Sequence, residues 1–129
     1  MAEPTIGTRL QRRFVVFTSD SGFVAELADV APQPWVGQAV TDLDELGEWN
    51  DVLLYRFILM DLDEEAAFDP LEIMRTLRME YQINVPVFCF GGDEELQNDM
   101  RLARADRFFS RREMLRMLPE FCERYAWGE

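Results

Sequence analysis

Phe57-Ile58-Leu59-Met60 is an unbroken apolar run that ends on a carboxylate, Asp61. A strand with one wet face alternates apolar and polar residues, so a run without alternation fits a strand buried on both faces. Such strands belong to parallel sheets covered by helices on either side. In those sheets chemistry gathers at the carboxyl ends of the strands, which is where Asp61 would stand. All 13 basic residues are Arg, with no Lys and no His. A site around Asp61 therefore works without an ammonium or an imidazole.

The rest of the chain alternates strand and helix signals. Phe14–Phe17 reads as a short buried strand. Ser19, Asp20 and Ser21 offer N-caps for a helix whose apolar face is Phe23, Leu27 and Val30, closed by Pro32 and Pro34. Trp35–Val40 is a second strand, and a short acidic helix runs from Thr41 to about Trp49. The third strand is Tyr55–Met60. Asp69-Pro70-Leu71-Glu72 starts a helix with a cap, a proline at the first position and Glu at the third, and Ile73, Leu77 and Tyr81 mark its buried face. Val85–Phe90 is a fourth strand stopped by Gly91-Gly92. Leu96, Met100 and Ala103 follow at helical spacing behind Asp93. Arg107–Phe109 is a brief fifth strand, and Ser110-Arg111-Arg112-Glu113 is a capping box opening a last helix. Met114, Leu118, Phe121 and Tyr125 form its apolar face, and Pro119 is expected to kink or split it. Five strands alternating with five helices predict a doubly wound, flavodoxin-like (βα)5 sheet with helices on both faces. Residues 1–12 read as a loose arm and residues 13–129 as one domain.

A chain of 129 residues is long enough to bury a core, and its 48% apolar share suits a globular fold. A net charge of -12 argues against nucleic acid and against anionic membrane surfaces. Cys89 and Cys122 lie in apolar surroundings without metal-ligand spacing, so buried free thiols are expected. No apolar stretch is long enough to span a membrane, and residues 1–13 lack a secretory apolar core, so a cytoplasmic protein is expected.

Five β/α units with an Asp closing the third strand resemble the response-regulator receiver domain, the CheY-like phosphoacceptor module of two-component signalling. The resemblance covers Arg13 to about Tyr125 and rests on order and spacing. It implies that Asp61 is the phosphoacceptor position. The family's acidic metal-binding pair falls on Thr18 and Ser19, with Asp20 one place later. Its hydroxyl position falls on Gly91, its Lys position on Arg111 followed by Arg112, and its aromatic switch on Phe108. Mg²⁺ prefers carboxylate oxygens and water, so Thr18 and Ser19 would serve it poorly. Asp20, Asp61 and Asp63 could make only a weak Mg²⁺ site, and no cofactor is otherwise expected. Arg111 is expected to pair with Asp61 or Asp20, since an Arg–carboxylate pair is strong.

The resemblance then implies a non-enzymatic signalling module, a pseudo-receiver with impaired or absent Asp phosphorylation. It would act by contact with a histidine kinase or an output protein. A phosphorylatable receiver using Asp61 is the alternative. The implied contact face is the fourth helix, fifth strand and fifth helix, with Arg101, Arg104, Arg107 and Phe108 as a basic-aromatic patch, and a homodimer could form there. Asp61-Leu62-Asp63 after an apolar strand also resembles the nucleophile motif of haloacid-dehalogenase phosphatases, a second alternative. Against it, that motif belongs on a first strand. Gly91-Gly92-Asp93-Glu94-Glu95 resembles the diguanylate cyclase signature, but the polar helical segment after it does not suit the hairpin that signature needs.

Overall fold

The computed structural model describes residues 11–64 and 66–127. Residues 1–10 of the expected arm, and residues 65, 128 and 129 of the expected domain, lie outside them. The strands are β1 (Arg13–Phe17), β2 (Val36–Val40), β3 (Ile58–Asp61), β4 (Val87–Phe90) and β5 (Arg107–Phe109). They form one parallel sheet, as the apolar runs predict, and its order is β2-β1-β3-β4-β5. The helices are α1 (Ser21–Val30), α2 (Trp49–Val52), α3 (Pro70–Arg75), α4 (Glu94–Leu102) and α5 (Arg111–Arg124).

The period of two along each strand sorts side chains to opposite faces. Val15, Phe17, Ile58, Met60, Val87 and Cys89 join one core with Val52 of α2, Met74 of α3, Leu77 just beyond α3 and Met100 of α4. Phe14, Val16, Phe57, Leu59, Phe88 and Phe90 join the other with Phe23 and Leu27 of α1 and Met114, Leu118 and Phe121 of α5. This second core is aromatic. Phe57 stacks on Phe14 at 5.1 Å and meets Trp35, Phe88, Phe121 and Tyr125, while Phe88 stacks on Phe121 at 4.2 Å.

Several boundaries differ from expectation. The third and fourth strands start later, because Tyr55, Arg56 and Val85 lie in the approaches to the sheet rather than in it. The acidic segment after β2 is a 3-10 turn (Leu43–Leu46) followed by α2, each closed by its own acidic capping box. Beyond α3 the chain continues as a π-helical turn, Thr76–Glu80, not as α-helix to Tyr81. Val30 is partly exposed rather than core, because α1 buries only Phe23 and Leu27. Pro119 does not split α5, which runs unbroken from Arg111 to Arg124. It lies on the exposed side, where water can meet the carbonyl it frees.

Two buried guanidinium groups brace the amino-terminal edge of the sheet. Arg56 donates to the carbonyls of Gln11, Tyr125 and Trp127 and lies 3.5 Å from the Trp127 ring centroid. Arg78 donates to the carbonyls of Ile83 and Arg104 and pairs with Asp106, whose carboxylate also takes the Val87 N–H. Among the described residues, no helix is long and apolar enough to cross a membrane.

Phe57 contacts both halves of its core, so Phe57→Ala should cost about 3–5 kcal/mol of stability, measured by urea denaturation. Both cysteines are free and buried. Burial pushes the Cys89 thiol up to about 12, helped by Asp106, and burial alone pushes Cys122 to about 12. Neither should be alkylated by iodoacetamide at pH 8 until the protein is unfolded, as mass spectrometry would report.

Candidate functional site

Strand order brings the site together. β1 and β3 are adjacent with Phe17 opposite Met60, so the next residues, Thr18 and Asp61, meet at the carboxyl edge. Asp61 is paired with Phe90 on β4 and is fully buried. A buried carboxylate must be saturated with donors. Thr18 Oγ1 donates to Asp61 Oδ2 at 2.7 Å, and the Asp63 N–H donates to Oδ1 at 2.9 Å. Arg111 Nη2 donates to Oδ2 at 2.8 Å.

Arg111 reaches this point from the first turn of α5. The Ser110–Glu113 capping box sets the start of that helix, as the sequence pattern predicts. The guanidinium lies over the touching Phe23 and Phe90 rings, 4.8 and 5.2 Å from their centroids. Its Nη1 lies 3.3 Å from Asp20 Oδ2 and its Nε 3.4 Å from Asp63 Oδ2. One planar cation therefore gathers three carboxylates, and Asp61 takes the shortest contact. Burial pulls the Arg111 pKa down. The charge and hydrogen bond of Asp61, then Asp63 and Asp20, more than reverse it, so the net shift is upward.

Asp20 and Asp63 each have a second task. Asp20 caps α1 through Oδ1 to the Phe23 N–H, and its own N–H bonds Thr18 Oγ1. Asp63 Oδ1 accepts the Gly92 N–H at 2.8 Å. Gly91 makes room for that carboxylate: with φ at +74°, a Cβ on residue 91 would lie 2.2 Å from Asp63 Oδ2. A hydroxyl side chain has no place at residue 91 in this arrangement. Ser19, the other uncharged residue of the expected acidic pair, donates to Glu64.

The donor set does not suit Mg²⁺. Asp20, Asp61 and Asp63 converge on a guanidinium, and a dication beside it would meet a fixed positive charge. Asp61 Oδ2 is already shared by two donors. Among the described residues, no group of three His, Cys, Asp or Glu side chains could hold a metal ion.

The expected basic-aromatic patch is divided by β5. Arg101 of α4 lies 4.8 Å from the Phe108 ring centroid. Arg107 turns to Phe109, at 4.9 Å, because residues 107 and 109 share the opposite face of the strand. Arg104, at φ +72°, donates from its guanidinium to the Arg78 carbonyl at 3.2 Å. Gly91-Gly92-Asp93 is the turn into α4, with Asp93 as its N-cap, and not a hairpin. The donor role of Thr18 escapes a reading based on charge. The same is true of the Gly92 N–H, which belongs to the backbone.

Solved structures with the same architecture are receiver domains. A response regulator receiver protein from Pseudoalteromonas atlantica superposes with a TM-score of 0.69 at 13% identity, over 88% of this chain and 95% of that one. A response regulator signal receiver domain from Bermanella marisrubri gives 0.64 at 17%, over 86% and 98%. A CheY-like protein (tadZ) from Pseudomonas aeruginosa PAO1 gives 0.56 at 18%, over 92% and 96%. No family model matches the sequence, and no curated protein does. At these identities the likeness establishes the fold: this chain has the receiver fold of response regulators.

Removing the cation leaves Asp61 as a buried, poorly compensated charge. Breaking a buried pair costs about 3–5 kcal/mol, and the partly exposed guanidinium lowers that to about 2 kcal/mol for Arg111→Gln. Adding Asp61→Asn to Arg111→Gln should recover part of the loss, because the stranded charge goes with it. Urea denaturation of the two single variants and the double variant checks this.

Proposed function

We propose that this chain is a signal-transducing receiver-like domain of two-component type. It acts by contact with a signalling protein in the cytoplasm, and not by catalysis or by phosphorylation of Asp61. The observation that carries the reading is the state of Asp61: fully buried, with both oxygens bonded to Thr18, Arg111 and the Asp63 N–H. Phosphoryl transfer to a carboxylate needs an accessible oxygen and charge neutralisation at the transferring group. Arg111 spends its charge on three carboxylates already in place, and the site does not suit the metal that would supply more.

A domain held this way is a fixed surface. Its contact face would be the α4–β5 edge, where Arg101 covers Phe108 and Leu102 is 85% exposed. A basic and apolar spot on a chain of net charge -12 suits a histidine kinase or output protein with an acidic docking site, or a second copy of the chain.

Incubation with acetyl phosphate and Mg²⁺, followed by intact-mass and peptide mass spectrometry, tests the reading. The expected outcome is no acyl-phosphate adduct on Asp61 and an unchanged melting temperature. A Mg²⁺-dependent adduct on Asp61 would restore the phosphorylatable receiver.

A further inference from the structure

We propose that a cleft at the amino-terminal edge of the sheet, between the π-helical turn and the α4–β5 turn, docks an acidic segment of a partner protein. Arg104 would receive its carboxylate. The site lies apart from the Asp61 cluster and does not depend on how that cluster is read. The cleft encloses about 560 Å³ and is lined by Arg78, Met79, Gln82, Ile83, Asn84 and Arg104. Its two guanidinium groups are compensated unequally. Arg78 is buried and paired with Asp106 at 3.2 Å. Arg104 is exposed, and among the described residues its guanidinium makes one hydrogen bond, to the Arg78 carbonyl, and no ion pair. Burial lowers the Arg78 pKa, and the charge of Arg104 lowers it further against the pull of Asp106. The cleft thus carries one guanidinium charge more than its acids balance, on a chain of net charge -12.

Arg104 also stands where the backbone favours another residue. It is the left-handed residue of a Schellman cap on α4, with φ at +72°. Its N–H bonds the Arg101 carbonyl, and the Ala105 N–H bonds the Met100 carbonyl. Glycine suits that position, and a side chain there is strained. Gln82, at φ +56°, closes the π-helical turn in a similar way, with the Ile83 N–H on the Leu77 carbonyl. Two strained turns therefore line one cleft. Strained backbone and π-helical turns both gather at ligand sites.

The lining selects the ligand. One unbalanced guanidinium matches one negative charge, and most of its N–H donors are left for the two oxygens of a carboxylate. Beside it, Met79 is 67% exposed and Ile83 forms an apolar wall, a setting for the carbon chain of a Glu and an apolar neighbour. The Gln82 and Asn84 amides can meet peptide N–H and C=O groups. A phosphate dianion would bring more charge than the cleft balances, and a free anion would leave the apolar wall and the amides unused.

The experiment titrates the ¹⁵N-labelled chain with acetyl-Ala-Leu-Glu-Leu-Ala-amide, its Gln counterpart, acetate and inorganic phosphate. NMR follows the Arg104 Nε–H and the Gln82, Ile83 and Asn84 amides. Expected are saturable shifts with the Glu peptide, and binding weaker by about tenfold or more with the other three. Glycine suits φ +72°, so Arg104→Gly should melt no lower than wild type while its affinity for the Glu peptide falls by about tenfold or more. Met79→Ala, changed at an exposed side chain, should weaken the Glu peptide severalfold and leave acetate unchanged. No saturable shift, a Gln peptide, acetate or phosphate that binds as tightly as the Glu peptide, or full affinity in Arg104→Gly would overturn the proposal. So would an Arg104→Gly variant that melts several degrees lower, since the guanidinium would then be a brace of its own turn.

Discussion

The buried carboxylate of Asp61 has to be neutralised, and the guanidinium of Arg111 does it. Burying a charge without a partner is among the most costly events in folding. The strand that carries Asp61 is buried along its whole length, so water cannot be the partner. Much of the carboxyl edge is arranged around this need. α5 starts at Arg111, the packed Phe23 and Phe90 rings lie against the guanidinium, and Thr18 turns its hydroxyl inward. Asp61 first, then Asp63 and Asp20, raise the Arg111 pKa despite burial, and the three acids bring the charge around it beyond neutrality.

A lysine at this position would behave differently. An ammonium is a compact charge on a flexible stem and can move from one acceptor to another, whereas a guanidinium has a planar fork that holds several acceptors in fixed directions. With Arg111 bonded to three acids at the ends of β1 and β3, moving it toward a newly arrived phosphoryl group would break contacts to all of them. That is the physical basis for the static domain we propose. It also accounts for glycine at residue 91, since the carboxylate of Asp63 occupies the space a side chain there would need.

Much of the architecture was legible because both cores are built from unbroken apolar strands. The runs Phe14–Phe17, Phe57–Met60 and Val87–Phe90 set the buried strands, and Asp69-Pro70 and Ser110–Glu113 marked helix starts that the structure contains. The misses came where local preference gave way. Pro119 is tolerated inside α5 because it faces water. The π-helical turn after α3 leaves no periodicity that sequence could reveal. In the site, Asp61 stood out at the end of its apolar strand, and Arg111 through the resemblance to receiver domains. Thr18 was discounted for lacking charge, although the register Phe17–Met60 places its hydroxyl across from Asp61. The basic patch was over-assembled, because strand alternation separates Arg107 from Phe108 and the Arg104 guanidinium bonds the Arg78 carbonyl.

The central claim is that Arg111 stands where a divalent cation would otherwise compensate the acidic edge. The most direct test is a Mg²⁺ titration of the wild-type chain at neutral pH, followed by the backbone amide resonances of Asp20, Asp61 and Asp63 and by the Arg111 Nε–H. The account predicts no saturable shift of these signals through tens of millimolar Mg²⁺, beyond the uniform drift that screening of an acidic surface produces. A saturable, localised shift with loss of the Arg111 Nε–H signal would contradict it.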